Sequence, residues 1–403
     1  MVEETLVIIL AGGAGESLSP LTDERTKAAI PFGGKYRLID FPLSNCLHSG
    51  LRQVLVLTQY KSHSLQKHLR DAWSIYNSEL GEYITAVPPQ MRTGGGWYSG
   101  TADAIYQNLY LLERNSAKYV IVLSGDNIYR MDYAMLLEQH LKNNADVTMA
   151  CIDPALVISP DYSSVWVDDK HRVSKYIQET PDSAEENILS SMGIYIFSKE
   201  LLIETLGKPD DLEQSSRELA TDVIPKLIKT HKVYAYDFGS AEGRVTQDGY
   251  WRNLSDLDDF YSANMDMLKS IPPIDLYQKD WPIRTLQPQC PPARTVPGML
   301  GNEGISINSI ISSGTVIAGG SVQNSILFSN VHIGDETVIE DSILFDGVKI
   351  ADGAHIRNCI IDKDVVIPAA MKIGFDAEDD MKYFKITRNG VIAINKSWAT
   401  AEG

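Results

Sequence analysis

The chain has 403 residues, 44% of them apolar, and a formal charge of −17. Such a length exceeds a usual single domain, so two domains are expected, with ample apolar residues for a sizeable core. The acidic balance argues against binding nucleic acid through its phosphates, and no apolar run approaches membrane length.

No basic-then-apolar segment at the amino terminus resembles a secretory leader. Cys46, Cys151, Cys290 and Cys359 lie far apart without CxxC spacing, so neither disulfides nor a zinc centre are expected and a cytoplasmic location follows.

Taken in order, Leu6-Val7-Ile8-Ile9-Leu10 is a short apolar run that reads as a fully buried parallel strand. It leads into Ala11-Gly12-Gly13-Ala14-Gly15, a turn whose missing side chains let backbone N–H groups face an anion. A phosphate cradle uses that geometry; an ordinary tight strand-to-loop turn is the plain alternative. The turn is neither a dinucleotide fingerprint, since Leu18 follows Gly13-x-Gly15-x-x, nor a P-loop, since no Gly-Lys-Ser/Thr closes it.

Residues 54–58, 119–123 and 147–152 read as further strands, and residues 62–78, 101–115 and 133–143 carry helical spacing. Alternation of this kind implies right-handed crossovers and a mostly parallel sheet with its ligand at the carboxyl ends of the strands. Both the glycine turn and Gly125-Asp126 fall at such ends. Asp126 is therefore placed to hold Mg²⁺ against phosphates, where the plain alternative is a loop aspartate making an Asx turn.

Prolines cluster over residues 271–297, which reads as a linker that packs on the first domain. The expected division is residues 1–270, a linker 271–300, and residues 301–403. In the last part Val316, Val322 and Phe328 recur every six residues, as do Ile333, Ile339 and Phe345. After a one-residue slip come Ile350 and Ile356, then Ile361, Ile367 and Ile373. A six-residue apolar repeat is the mark of a parallel β-helix of hexapeptide rungs. Hexapeptide coils occur in acyltransferases, but His332 and His355 read as surface corner residues rather than bases. An oligomerisation surface suits the open-ended coil better.

With both halves read, the chain resembles the glucose-1-phosphate adenylyltransferase (ADP-glucose pyrophosphorylase) family over nearly its full length. The segments that carry the resemblance are LAGGAG, FGGKYRLIDFPLSNC, LTQYKSHSL, WYSGTADA, SGDNIYRMDY, SMGIYIF, YWRN, DWPIRT and the hexapeptide coil. The resemblance implies an α/β nucleotidyltransferase domain with a mostly parallel, Rossmann-like mixed sheet, followed by a left-handed parallel β-helix, usually in a tetramer. It implies conversion of ATP and glucose 1-phosphate to ADP-glucose and diphosphate, with Mg²⁺, for glycogen or starch synthesis.

Carried over residue by residue, the resemblance assigns nucleotide binding to Leu10, Ala11, Gly12, Gly13, Gly15, Gln59, Gly100, Thr101, Ala102 and Asp126. It assigns sugar-phosphate binding to Tyr98, Glu179, Ser191, Met192, Gly193 and Trp251, a catalytic part to Lys27 and Asp126, and metal binding to Asp126 and Asn253.

Three departures fall on charge-handling positions. The family's glycine loop has a basic residue at Ala14 and an arginine at Ser17, and losing one such contact typically costs about 2.7–4 kcal/mol, or roughly a hundred- to a thousand-fold in rate. Arg25 and Lys27 are the neighbouring cations available to stand in. Asn253 replaces a metal aspartate, and Glu179 or Thr180 stands where the family has a lysine for the sugar phosphate. Ala28 replaces a proline after Lys27, and Glu24 stands where some bacterial members have an activator-binding lysine. The expectation is a weakly active or inactive copy with a weakened Mg²⁺ site, serving as a regulatory subunit in a homo- or hetero-tetramer beside a catalytic paralogue. The alternatives are a fully active adenylyltransferase and a sugar nucleotidyltransferase of different specificity.

Overall fold

The computed structural model describes residues 1–90, 96–157, 163–178, 187–207, 217–239, 245, 248–396 and 398. They form two compact units, neither contiguous in sequence. One gathers Met1–Ala14, Ile39–Asn253 and Tyr277–Arg284; the other gathers Gly15–Leu38, Leu254–Leu276 and Thr285–Gly403. The sequence division at 270 and 300 followed composition, whereas these units follow packing.

The first unit is built on a nine-stranded sheet. Its middle is the apolar run expected from the sequence, Thr5–Ala11, in which Leu6 to Ile9 are fully buried. This strand pairs in parallel with Gln53–Thr58 on one side and Tyr119–Ser124 on the other. Tyr83–Val87 extends the parallel part. The sheet then changes direction: Ile188–Ser198 runs antiparallel to Tyr119–Ser124, to Val147–Ile152 and to Ser164–Val167. The sheet is therefore mixed, and its two-faced burial explains why the strands are apolar throughout rather than alternating.

Two helices differ from the expectation. The helix expected over 62–78 spans only His63–Ala72, with a short 3-10 turn later at Ser78–Leu80. The helix expected over 101–115 is broken into Thr101–Tyr106 and Leu109–Arg114. The break has a local cause. The Asn108 side chain donates to the Ala104 carbonyl (2.8 Å) and to the Tyr98 hydroxyl (3.0 Å), so a side-chain amide takes over the turn. No helix among the described residues is long and apolar enough to cross a membrane.

The second unit contains the repeat, a parallel β-helix of three stacked ladders. On one face Val322, Ile339, Ile356 and Ile373 sit in register, each a coil apart. Ser342 and Cys359, which occupy one corner of successive coils, are 17 residues apart. The coil is thus shorter than three hexapeptides. The shortening corrects three of the expected inward positions. Ile317, Leu327 and Leu344 fill the core, rather than Val316, Phe328 and Phe345. Val316 is only partly buried. Phe328 and Phe345 stack on each other at 5.1 Å, and Phe345 meets Phe260 at 6.3 Å, which in turn meets Phe32 at 6.4 Å. They thereby anchor the Gly15–Leu38 and Leu254–Leu276 segments to the coil. The tight corners need left-handed backbone, supplied by Asn324 (φ 48°), Asp341 (φ 46°) and Asn358 (φ 52°).

Candidate active site

A cavity of about 580 Å³ opens in the first unit at the carboxyl ends of its parallel strands. The strand Thr5–Ala11 delivers Leu10, Gly12, Gly13 and Ala14 to its wall, and Tyr119–Ser124 delivers Ser124 and Asp126. Parallel strands expose their terminal backbone at one sheet edge, so the two loops arrive together. The Gly125 N–H donates to the Leu10 carbonyl at 3.0 Å, which ties one loop to the other.

The glycines differ in what they contribute. A side-chain carbon on Gly12 would lie 3.2 Å from Gln59 Cβ and 3.7 Å from the Tyr98 ring, so this position is closed by packing. One on Gly13 would meet nothing within 4 Å. Gly13 therefore keeps open a space that faces the cavity, which is what a phosphate cradle requires.

Gln59 and Tyr98 form the next wall. The Gln59 amide donates to the Tyr98 carbonyl (3.3 Å) and its oxygen accepts from the Tyr98 N–H. The two bonds fix the segment that the sequence could only describe as a motif. Burial pushes the Tyr98 phenol above its usual pKa, partly offset by the hydrogen bond from Asn108. The ring is held neutral as a flat wall.

Gly100 and Thr101 line the cavity at the start of the helix Thr101–Tyr106. Gly100 stands at the helix cap with no side chain to accept from the first-turn N–H groups. Glu218 accepts from both the backbone N–H (3.1 Å) and the hydroxyl of Thr101. The Arg217 carbonyl accepts from Ala102 (2.9 Å), and the Arg217 guanidinium pairs with the buried Asp103 at 3.2 Å. Glu218 lines the cavity and was missed by the sequence reading. The one available signal was indirect: a helix beginning Gly-Thr-Ala lacks a capping acceptor of its own.

On the opposite side, register shifts between Ser191 and Ile194 where Ile188–Ser198 pairs with Val147–Ile152. The bulge places Gly193, at φ 70°, on the cavity wall. Ser191 accepts from the Gly193 N–H at 3.3 Å. Met192 is buried in the same bulge.

The structure thus brings Leu10, Gly12, Gly13, Gln59, Gly100, Thr101, Asp126, Tyr98 and Gly193 to one cavity. Ala11 and Ala102 lie buried beside it in sequence, behind the wall rather than on it. Gly15, Ser17 and Lys27 belong to the second compact unit. Glu179 and Thr180 lie outside the described residues.

Trp251 and Asn253 are not among the residues that line the cavity; they belong to a separate ladder. Trp251–Arg252 pairs antiparallel with Ile128–Tyr129, Trp251 opposite Tyr129 and Arg252 opposite Ile128. Asn253 follows directly on that ladder, and Asp126 lies two residues before Ile128. Two oxygen-bearing side chains, one carboxylate and one amide, are thereby carried on the two strands at the same end of one ribbon.

The charged side chains among the described lining residues, Asp126 and Glu218, are both acidic. Among the described residues no group of three or more His, Cys, Asp or Glu side chains gathers as a ready-made metal site. A hard cation fits this donor set only with oxygens brought by a ligand, which is how Mg²⁺ commonly binds with phosphates. The Asp126 carboxylate accepts from the Ser124 hydroxyl, which orients it.

Comparison with known proteins agrees with this architecture. Residues 6–270 match the family described as nucleotidyl transferase, and residues 291–394 match the one described as GlmU-like, C-terminal hexapeptide. Relatives named glucose-1-phosphate adenylyltransferase 2 from Vibrio cholerae and Vibrio vulnificus are 54% and 56% identical. These alignments cover 98% of this chain and 99% and 100% of the relatives. The glucose-1-phosphate adenylyltransferase of Methylococcus capsulatus is 39% identical over 98% of this chain and 94% of its own length. This chain belongs to the glucose-1-phosphate adenylyltransferase family.

Proposed function

We propose that this chain joins ATP and glucose 1-phosphate to form ADP-glucose and diphosphate. The observation that carries the reading is the cavity itself: a glycine turn left open at Gly13, lined together with Asp126 and the Gln59–Tyr98 wall. In this reading a phosphate oxygen of the sugar phosphate attacks the α-phosphorus of ATP. The bond from that phosphorus to the β-phosphate oxygen breaks, and diphosphate leaves.

Each residue then has a physical task. Backbone N–H groups around Gly12 and Gly13 hold the triphosphate, and Tyr98 and Gln59 enclose the base-side half. Gly193 and the bulge around it leave room for the sugar, and Trp251 is assigned to it by the family resemblance alone. Asp126 and Asn253 are the residues that would hold Mg²⁺, which when bound supplies positive charge to the departing diphosphate. Asn253 has no negative charge, so that site is weaker than one with two carboxylates. Lys27 carries a catalytic part in this reading by its match to the family's lysine in sequence alone. The product would feed an α-glucan store such as glycogen or starch, in the cytoplasm, with copies assembled through the coil.

A second reading is favoured by one specific observation. Ser17 stands where the family has an arginine, and Arg25, one of the two cations available to replace it, is buried in an ion pair with Asp362. A copy so depleted of cations would serve as a regulatory subunit of a hetero-tetramer beside an active paralogue. One experiment separates the two: ADP-glucose formation by the purified chain alone with ATP, glucose 1-phosphate and Mg²⁺. Sustained turnover supports the first reading. Turnover that appears only when a catalytic paralogue is added supports the second.

A further inference from the structure

The ribbon formed by Ile128–Tyr129 and Trp251–Arg252 carries an unusual concentration of buried polar atoms with no hydrogen-bond partner. Among those on the ribbon or next to it are Asn127 Oδ1, Trp251 Nε1 and Asp248 Oδ2. Asn127 and Trp251 are only 5% and 6% exposed. Each such atom costs on the order of 1–3 kcal/mol, so the ribbon would relax unless something held it. A two-residue ladder is too short to do that alone.

The hold comes from Arg130, which follows Tyr129 directly and whose side chain is 1% exposed. Its Nη1 donates to Gln278 Oε1, in the Tyr277–Arg284 segment of the same unit. The same nitrogen lies 3.7 Å from Asp248 Oδ2. Asp248 in turn accepts from the Tyr250 N–H at 3.0 Å, immediately before Trp251. One sealed guanidinium thus connects the strand leaving Asp126, the approach to Trp251 and Asn253, and a third segment far along the chain. Arginine suits this task because its charge is permanent, so one buried nitrogen both donates to Gln278 and attracts Asp248.

We propose that Arg130 is a positioning residue that, through Asp248 and Gln278, sets the Trp251–Asn253 segment against Asp126 and so maintains the metal- and phosphate-binding end of the site. This rests on the reading of Asp126 and Asn253 given above. Arg130 itself touches no reacting atom in this scheme. Its removal should therefore loosen the Mg²⁺ end while leaving the Gly12–Tyr98 end intact.

The test compares full-length wild type with Arg130→Met and Asp248→Asn, measuring turnover against Mg²⁺ concentration and against ATP. The expected result for Arg130→Met is at least a tenfold rise in the Mg²⁺ concentration for half-maximal rate, with KM for ATP changed less than threefold. Asp248→Asn, which keeps the acceptor for Tyr250, should shift the Mg²⁺ midpoint at least threefold in the same direction. It decides the matter if Arg130→Met does not fold. A purely structural role would lower the melting temperature and the amount of active protein without moving the Mg²⁺ midpoint, and an unmoved midpoint overturns the proposal. Should wild type show no turnover, the adenylyl-transfer reading fails by itself. Mn²⁺ binding in the presence of α,β-methylene-ATP, followed by electron paramagnetic resonance, then replaces the rate. A tenfold weaker Mn²⁺ affinity in the Arg130→Met variant is expected, and an unchanged affinity overturns the proposal.

Discussion

Arg25 and Asp362, 337 residues apart, form a buried ion pair in which one guanidinium nitrogen lies 2.9 and 3.1 Å from the two carboxylate oxygens. Arg25 also donates to the Leu21 carbonyl at 2.9 Å, and Asp362 accepts from the Lys363 N–H at 2.7 Å. From the sequence, Arg25 was a candidate to supply the positive charge missing at Ser17. In the folded chain it clamps the Gly15–Leu38 segment to the coil.

The clamp predicts a stability effect. Arg25→Ala leaves the Asp362 carboxylate buried without its partner, which should destabilise the second unit by about 3–5 kcal/mol. The double variant Arg25→Met with Asp362→Leu should lose far less, because no unpaired charge remains. Urea unfolding of the two variants checks this, and equal losses would show that the pair's charge is not what matters.

With Arg25 committed, Ser17 becomes the position where added charge should act. Ser17→Arg is expected to raise kcat/KM for ADP-glucose formation by roughly a hundred-fold, the usual size of one transition-state contact. Asn253→Asp should lower the Mg²⁺ concentration needed for half-maximal rate, since a second carboxylate strengthens an oxygen site. Initial rates for the single and double variants against wild type settle the matter; a Ser17→Arg variant no faster than wild type would place the rate limit elsewhere.

Gly13 offers a test of the cradle that spares the fold. A methyl group there meets no protein atom within 4 Å. Gly13→Ala should leave the melting temperature within a degree or two, while ATP binding measured by calorimetry weakens at least tenfold. Unchanged ATP affinity would mean the open space at Gly13 faces no phosphate.

His140 predicts a pH dependence. Burial lowers its pKa from 6.5 to about 4, with a smaller opposing pull from Asp146. Its Nδ1 is hydrogen-bonded to the Thr148 hydroxyl at 2.8 Å, and its ring packs edge-on to Tyr119. The folded state holds the ring neutral and the unfolded state accepts a proton first. Stability from this residue is therefore complete above pH 6.5 and is lost as pH falls from 6.5 towards 4. By pH 5 the loss should be about 2 kcal/mol. Wild type should lose that much more between pH 7.5 and 5 than His140→Gln does, as measured by urea denaturation. Parallel losses in the two proteins would contradict it.

Much of this was legible in the sequence, because its signals are local. The strand at residues 6–10 is apolar on both faces and ends in glycine, so its burial and its loop follow from composition and spacing. The recurrence of apolar residues from Ile333 to Ile373 announced the β-helix for the same reason. What local pattern could not supply was phase. A coil of 17 residues cannot hold three sixes, and the deficit falls at Leu327 and Leu344, moving Phe328 and Phe345 out of the coil's core. The helix over residues 101–115 likewise looked continuous until the Asn108 side chain found the Ala104 carbonyl.

The sequence by itself determined the family, the two kinds of architecture and the glycine and aspartate loops at the strand ends, since each depends on neighbours within a few residues. Only the tertiary structure decided which charges are free to act. Whether Arg25 is a catalyst's substitute or a clamp depends on Asp362, and whether Arg130 is a surface cation or a sealed brace depends on Asp248 and Gln278. Glu218 entered the site by capping a helix more than a hundred residues before it. A charge's role is set by what desolvates it and what pairs with it, and those partners are brought together only when the chain folds.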